Sequence, residues 1–157
     1  ENPYIEKASL FMTIDGTLNS FIKQRQPIAR IFTGNSSYYI DSQAVKVPIS
    51  ENYSARVPLI TGVDDEKEVS ELIVLLNKIV GDDFLNKEII GIHLQATKEY
   101  MMTVRSGDYT IEFGKLTEID SKIKKLKAFY SKVFLDSTIH KYKTINIKYH
   151  NQVVGIK

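Results

Sequence analysis

The sequence predicts an α+β fold: a mixed, mainly antiparallel sheet with two helices packed on it, preceded by an N-terminal hairpin. Three observations predict it. Short apolar runs are joined by tight-turn residues, such as Asp15-Gly16 and Ser106-Gly107-Asp108. Only two stretches, 66–80 and 118–134, carry apolar residues at helical spacing. These two lie between groups of strands instead of alternating with single strands, which points to helices gathered on one face of a sheet.

The elements follow in order. Ala8–Ile14 and Thr17–Ile22 flank Asp15-Gly16, and Asp-Gly between apolar runs predicts a type I′ hairpin turn. The second arm continues through Lys23–Arg25 to Pro27. Pro27 has no N–H to donate to a ladder, so it is expected at an edge or a change of sheet. Ile28–Phe32 starts a new strand, and Gly34-Asn35 is expected to turn it. Tyr38–Ile40 and Ala44–Val47 read as short strands around Asp41-Ser42, and 48–56 is polar and irregular.

The first helix is expected over Glu66–Val80. Asp65 is its cap, Glu68 the reciprocal partner of a capping box, and Gly81 a left-handed stop. Val69, Leu72, Ile73, Leu76, Ile79 and Val80 follow the helical period. Val74 and Leu75 widen the stripe, so this helix is expected to be covered on more than one side. Ile90, Ile92 and Leu94 then alternate with Gly91, His93 and Gln95 as a half-buried strand. Tyr100–Val104, the 106–108 turn and Tyr109–Phe113 make a hairpin. The second helix is expected over Glu118–Phe134, capped by Thr117, with Ile119, Ile123, Leu126, Tyr130, Val133 and Phe134 as its apolar face. Thr144–Tyr149 alternates as a strand, His150–Gln152 turns the chain, and Val153–Ile156 is the last strand.

Composition narrows the class. The chain has 157 residues, enough for one domain or a domain plus a fragment, and 43% of them are hydrophobic. The balance of 21 basic against 19 acidic residues gives +2, too even to imply nucleic acid or an anionic surface by itself. No run of about 18 apolar residues is present to span a bilayer, and no charged-then-apolar leader opens the chain. Position 1 is Glu, so the expectation is a processed or excised piece with a membrane anchor upstream. The absence of Cys removes disulfides, thiolate metal sites and a thiol nucleophile.

The chemical candidates have plain structural readings. His93, His140 and His150 show no i, i+4 spacing and no Cys partner, so they read as exposed polar residues. Asp64-Asp65 at a helix start is explained by capping and the helix dipole, and Asp82-Asp83 after Gly81 reads as a turn. Lys122, Lys124, Lys125, Lys127 and Lys132 read as the solvated face of an amphipathic helix. There is no Gly-rich phosphate loop and no nucleophile elbow. No enzyme chemistry and no cofactor are therefore expected.

The C-terminal strand stands out for another reason. Val153, Val154 and Ile156 are apolar, and only Gly155 and Lys157 blunt the segment. At a sheet edge this pattern is that of a strand-addition site. The pattern leaves open whether the strand is an edge, or is central or covered.

Several segments, in this order, resemble the FtsQ/DivIB family of bacterial division proteins. Asn2–Ala8 (NPYIEKA) resembles the end of the second helix of the family's membrane-proximal POTRA domain, leading into the next strand. Gln24–Arg30 (QRQPIAR) resembles the exit from POTRA into the larger β domain. Tyr38–Asp41, followed by Val47-Pro48, resembles the segment carrying an (L/V)D-x-x-G turn, with Gln43-Ala44 here in place of the usual Gly. Val57–Gly62 (VPLITG) resembles LP-x-L-x-G, and Ile145–Tyr149 with Val153–Gly155 resembles the final strands.

The resemblance implies that residues 1–27 are the C-terminal part of a POTRA domain and residues 28–157 an FtsQ-type β domain. It implies a single-pass protein of the cell inner membrane, with this part in the periplasm. It also implies a non-enzymatic divisome scaffold that supports septum assembly and control of septal peptidoglycan synthesis. The implied partners are FtsB and FtsL, with FtsB adding a strand to the last β-domain strand, Val153, Val154, Gly155 and Ile156. By position, Lys148 matches a basic residue that meets an FtsB carboxylate, and Tyr149 an aromatic that anchors an apolar FtsB side chain. Ile156 falls where some relatives carry Trp, and Lys98 lies near a basic position that matters in relatives. The alternative is a POTRA-linked module of outer-membrane protein transport or assembly.

Overall fold

Turn chemistry and alternation place the strands, and a computed structural model describes residues 2–34, 36–135 and 137–157. Ile5–Met12 (β1) and Leu18–Gln24 (β2) pair antiparallel as a separate two-stranded ribbon. Asn2–Ala8 is thus not a helix end but a turn entering β1. Its backbone is taken up by pairing: Ile5 stands opposite Gln24, and the Arg25 N–H donates to the Tyr4 carbonyl at 2.8 Å. The expected type I′ turn is also replaced. Gly16 has φ 83° and Asp15 is not left-handed. The Gly16 N–H donates to Thr13 and the Thr13 N–H to Thr17. This is a three-residue loop closed by a left-handed Gly. The Asp15 carboxylate, which accepts the Thr17 N–H, favours it.

The remaining strands form one nine-stranded sheet. They are Pro27–Thr33 (β3), Ser36–Asp41 (β4), Lys46–Val47 (β5), Leu59–Thr61 (β6), Ile89–Leu94 (β7), Tyr100–Val104 (β8), Thr110–Gly114 (β9), Thr144–Asn146 (β10) and Val154–Ile156 (β11). The order is β11-β10-β9-β8-β7-β6-β3-β4-β5. The β3–β6, β6–β7 and β9–β10 pairs are parallel and the other neighbours antiparallel. Pro27 opens β3 where the chain leaves the ribbon, so it marks the change of sheet. The expected turn at Gly34-Asn35 includes Asn35, which lies outside the described residues.

One face of the sheet is the core. The register carries Ile31, Ile60, Ile92, Met102, Ile111 and Ile145 into a continuous buried row across six strands. Each such side chain contributes about 1.5–3 kcal/mol by leaving water. β6 has no counterpart in the sequence reading, because three residues after Pro58 are too few to show a period. In β7 Ile92 and Leu94 are buried and His93 is exposed as expected, and Ile90 alone departs from the expected face. A bulge between Ile89 and Gly91 leaves Ile90 exposed and buries Ile89.

Helices cover that row. Glu66–Val80 (α1) has the expected bounds, and Asp65 accepts the Glu68 N–H at 2.8 Å. Glu68 reaches back to the N–H of Asp64, one residue before the cap. Gly81 is right-handed (φ −73°), because its N–H closes onto the Asn77 carbonyl and the chain coils straight on. Asp82-Asp83 is not a simple turn. Asp82 caps a third, short helix, Asp83–Glu88 (α2), accepting the N–H groups of Phe84 and Leu85. The long helix near the C-terminus is Ile119–Leu135 (α3). Thr117 does not cap it, since Glu118 intervenes in a left-handed conformation (φ 52°). Leu126, Tyr130 and Val133 are buried as expected, while Phe134 is partly exposed. Below α3 the buried Glu88 carboxylate accepts hydroxyls from Ser106, Tyr109 and Tyr130. Burial pushes the Tyr109 phenol up to about 12 and the Tyr130 phenol higher still.

Candidate functional site

The C-terminal hairpin is positioned by α3 and β9. The long expected strand Thr144–Tyr149 is ordered as β10 only through Asn146. Ile147 still donates its N–H to the Glu112 carbonyl at 3.0 Å. Beyond it, the Lys125 ammonium on α3 reaches the carbonyls of Ile147 and Tyr149. There the chain is off the ladder and Tyr149 is half exposed, so Tyr149 does not share the buried face of Ile145 and Ile147. The chain then returns as β11, antiparallel to β10, with Ile145 opposite Gly155 and Asn146 opposite Val154.

Among the described residues, β11 is the first strand of the sheet and pairs only with β10. A strand so placed leaves alternate backbone N–H and C=O groups without a ladder partner. Val153 packs partly against the core, Val154 is half buried, and Ile156 is 51% exposed. Gly155 faces the helix layer, where a Cβ would overlap the Tyr142 ring. Tyr142 in turn stands edge-on to Phe129 of α3, with ring centroids 5.5 Å apart.

Lys148 is already engaged. Its stem crosses Gly114, and its ammonium bridges Glu99 at 3.0 Å and Glu112 at 3.3 Å. The hydrogen bond to Glu99 raises its pKa, with Glu112 adding to it and partial burial opposing. Lys98 sits on the β7–β8 turn in a left-handed conformation (φ 60°). It pairs with Glu68 of α1, which raises its pKa. Its chain neighbour Glu99 is the carboxylate that Lys148 holds, so both lysines stand at the same end of the sheet. The structure therefore brings Lys148, Tyr149, Val153, Val154, Gly155 and Ile156 together on one hairpin, with Lys98 one residue from Lys148's partner.

Glu99, Glu112, Lys125 and Tyr142 belong to this site and were not foreseen. Alternation puts Glu112 opposite in facing to Ile111 and Phe113. Its pairing with Lys148, however, depends on the parallel β9–β10 register, which no local pattern encodes. The lysine-rich helix is only partly a solvated face. Lys122 donates to the Lys115 carbonyl and lies 4.8 Å from the Phe113 ring centroid, burial lowering its pKa, and Lys127 pairs with Asp82. The histidines do not converge: His93 bonds Thr61, His150 pairs with Glu118, and His140 is exposed. Among the described residues, no group of three or more His, Asp or Glu is placed to hold a metal.

The site thus consists of backbone edge, apolar side chains and a few charges. It lies on an α+β domain that presents a strand at the edge of its sheet. Comparison with known proteins places that domain. The model for "FtsQ/DivIB, C-terminal related" matches residues 26–156, and the chain belongs to the FtsQ/DivIB family. A curated relative, "Cell division protein FtsQ" of Geotalea daltonii, is 30% identical over 144 residues. The match covers 76% of this chain and 50% of the relative, so the chain spans about half its length. Among solved structures, the fold is similar to the major extracytoplasmic domain of the trans isomer of DivIB from Geobacillus stearothermophilus. The TM-score is 0.50 at 13% identity, covering 74% of this chain and 98% of that one.

Proposed function

We propose that this chain is the periplasmic part of a non-enzymatic divisome scaffold. It binds FtsB and FtsL by accepting a strand on β11, and so supports septum assembly and control of septal peptidoglycan synthesis. One observation carries the reading: β11 is paired on one side only and keeps apolar side chains at the exposed edge. Tyr149 and Ile156 supply apolar contact at its two ends, and Lys148 and Lys98 supply charge at one. A carboxylate of FtsB reaching Lys148 would compete with Glu99 and Glu112. Its charge contact is therefore expected to add selectivity more than affinity.

The ribbon fits a POTRA remnant, residues 1–27, ahead of a β domain at 28–157. By register Ala8, Leu10, Met12, Leu18 and Ile22 share one face of it, and Leu10 and Met12 are each 70% exposed. Such a face requires cover, which the rest of a POTRA domain would give. No described helix is long and apolar enough to cross a membrane. An anchor in the inner membrane is expected from the part of the protein that this chain does not span. The outer-membrane transport alternative gains no support from the family match.

The test is Val154→Pro. Proline removes an N–H and stiffens the edge while leaving the core row untouched. Binding to the soluble FtsB–FtsL pair, measured by calorimetry, should be lost with the circular dichroism spectrum unchanged. Undiminished affinity in this variant would sink the mechanism.

A further inference from the structure

The far edge of the sheet from β11 is formed by β4 and β5, and there the ribbon joins the domain. A cleft of about 640 Å3 lies between ribbon and sheet, lined among others by Tyr4, Arg25, Pro27, Tyr39, Pro48 and Tyr53. Arg25 pairs there with Asp41, which is 4% exposed, Nη1 standing 2.6 Å from Oδ2. The other oxygen of Asp41 accepts the N–H groups of Gln43 and Val45, so the Arg25–Asp41 contact is single. The Arg25 Nε–H is buried and has no acceptor among the described residues. Tyr39 is 2% exposed, and its hydroxyl accepts the Ala55 N–H at 3.2 Å. That hydroxyl donates to no acceptor among the described residues. A buried donor without an acceptor is costly, and folded proteins rarely keep one.

These features select a ligand. Two surplus donors call for acceptor oxygens. The Arg25 charge is already balanced by Asp41, so the acceptor that fits is uncharged. Tyr and Pro walls suit an extended apolar chain. A proline-rich segment meets all three requirements: it is extended beforehand, its carbonyls are free, and proline brings no N–H that the cleft would have to satisfy. Aromatic-lined grooves recognise such segments for these reasons. The geometry points to a docking site for a proline-rich segment of a partner protein. Its carbonyls accept from Arg25 and Tyr39, and its rings pack on Tyr4 and Tyr53. The site is separate from β11 and does not rest on the strand-addition reading.

The test is an NMR titration of the chain with a blocked peptide of about ten prolines. Blocked Gly-Ser and Glu-rich peptides of the same length are the comparisons. Amide shifts are expected around Arg25, Tyr39 and Tyr53 and not in β11. The proline peptide should bind more tightly than either comparison. Tyr53→Ala, at an exposed position, should weaken it about three- to tenfold, the worth of one aromatic contact. Arg25→Lys keeps a charge on Asp41 but removes Nε, and should weaken binding by a similar factor with the circular dichroism spectrum unchanged. Affinity should hold between about 0.1 M and 1 M salt, since uncharged contacts are not screened. Tighter binding of the Glu-rich peptide, fading with salt, would make the site an anion site and overturn the proposal. Equal binding of the Gly-Ser peptide, no shifts around the cleft, or full affinity in both variants would also overturn it. The titration is repeated on the parent protein in detergent, including the part that this chain does not span. Binding lost there would mean that the protein's own remainder fills the cleft, and would overturn the proposal as well.

Discussion

Tyr142 occupies the space that a side chain at Gly155 would need. A Cβ built on Gly155 would overlap the Cδ1 and Cε1 atoms of the Tyr142 ring, and that ring is held by Phe129 of α3. The edge strand is thus fastened to the helix layer through a residue with no side chain. Gly155→Ala should cost about 1–3 kcal/mol, the usual range for overpacking. Urea denaturation of Gly155→Ala, Tyr142→Ala and the double variant checks it. The double variant should be more stable than the sum of the singles, and additive losses would refute the contact.

Ala44 holds a position suited to glycine. It has φ 62° in the turn after β4, where Asp41 accepts the N–H groups of Gln43 and Val45. The left-handed form costs an L-residue roughly 1–2 kcal/mol. Glycine removes that cost but adds about 0.4–1 kcal/mol of unfolded-state entropy. Ala44→Gly should therefore raise stability by about 0.5–1 kcal/mol, seen as a higher urea midpoint at unchanged slope. A lower midpoint would show that the turn is held in another way.

Lys148 is expected to stabilise the C-terminal hairpin in a pH-dependent manner. Its pKa is raised in the folded state, first by the Glu99 hydrogen bond. A group raised on folding contributes fully below its unfolded pKa and loses the contribution as pH rises through the folded value. Lys148→Met should thus be destabilised at pH 7, and the gap to the parent chain should close above about pH 10.5. A cycle with Glu99→Gln should show coupling of about 0.5–1 kcal/mol, discounted for the partial exposure of both groups.

Asp82 works in the opposite limb. The Lys127 ion pair, then the Leu85 N–H, hold its carboxyl below the usual range. Its contribution is present above the unfolded value and lost as pH falls through the folded one, so the window lies below about pH 4. Asp82→Ala should cost about 1 kcal/mol at pH 7, the typical worth of a helix cap. Asp82→Asn keeps the acceptor for Phe84 and Leu85 and should recover part of the loss. Thermal unfolding of both variants at pH 7 and pH 3 checks the sign. A difference that grew at pH 3 would contradict it.

Much of this arrangement was legible in the residues. The bounds of α1 follow from Asp65, Glu68 and an apolar period of 3.6, all local. The hairpin arms, β8, β9 and the change of sheet at Pro27 likewise follow from alternation and turn residues. What failed locally did so for stated reasons. β6 is too short to show a period, the bulge at Ile89/Gly91 reverses the face of Ile90, and α2 hides behind an Asp pair that reads as a turn.

The candidate site divides the same way. The sequence alone determined that residues 153–156 make an apolar strand with little protection, because side-chain type and alternation are properties of the chain itself. It also carried the family, whose model matches residues 26–156. Only the tertiary structure decided that this strand is the edge of the sheet. Edge or centre depends on which distant segments pair, here β9 beside β10 in parallel, and pairing is a choice among long-range partners that no window of sequence contains. The same register set Lys148 between Glu99 and Glu112, because a charge is balanced or bare according to what folding brings beside it.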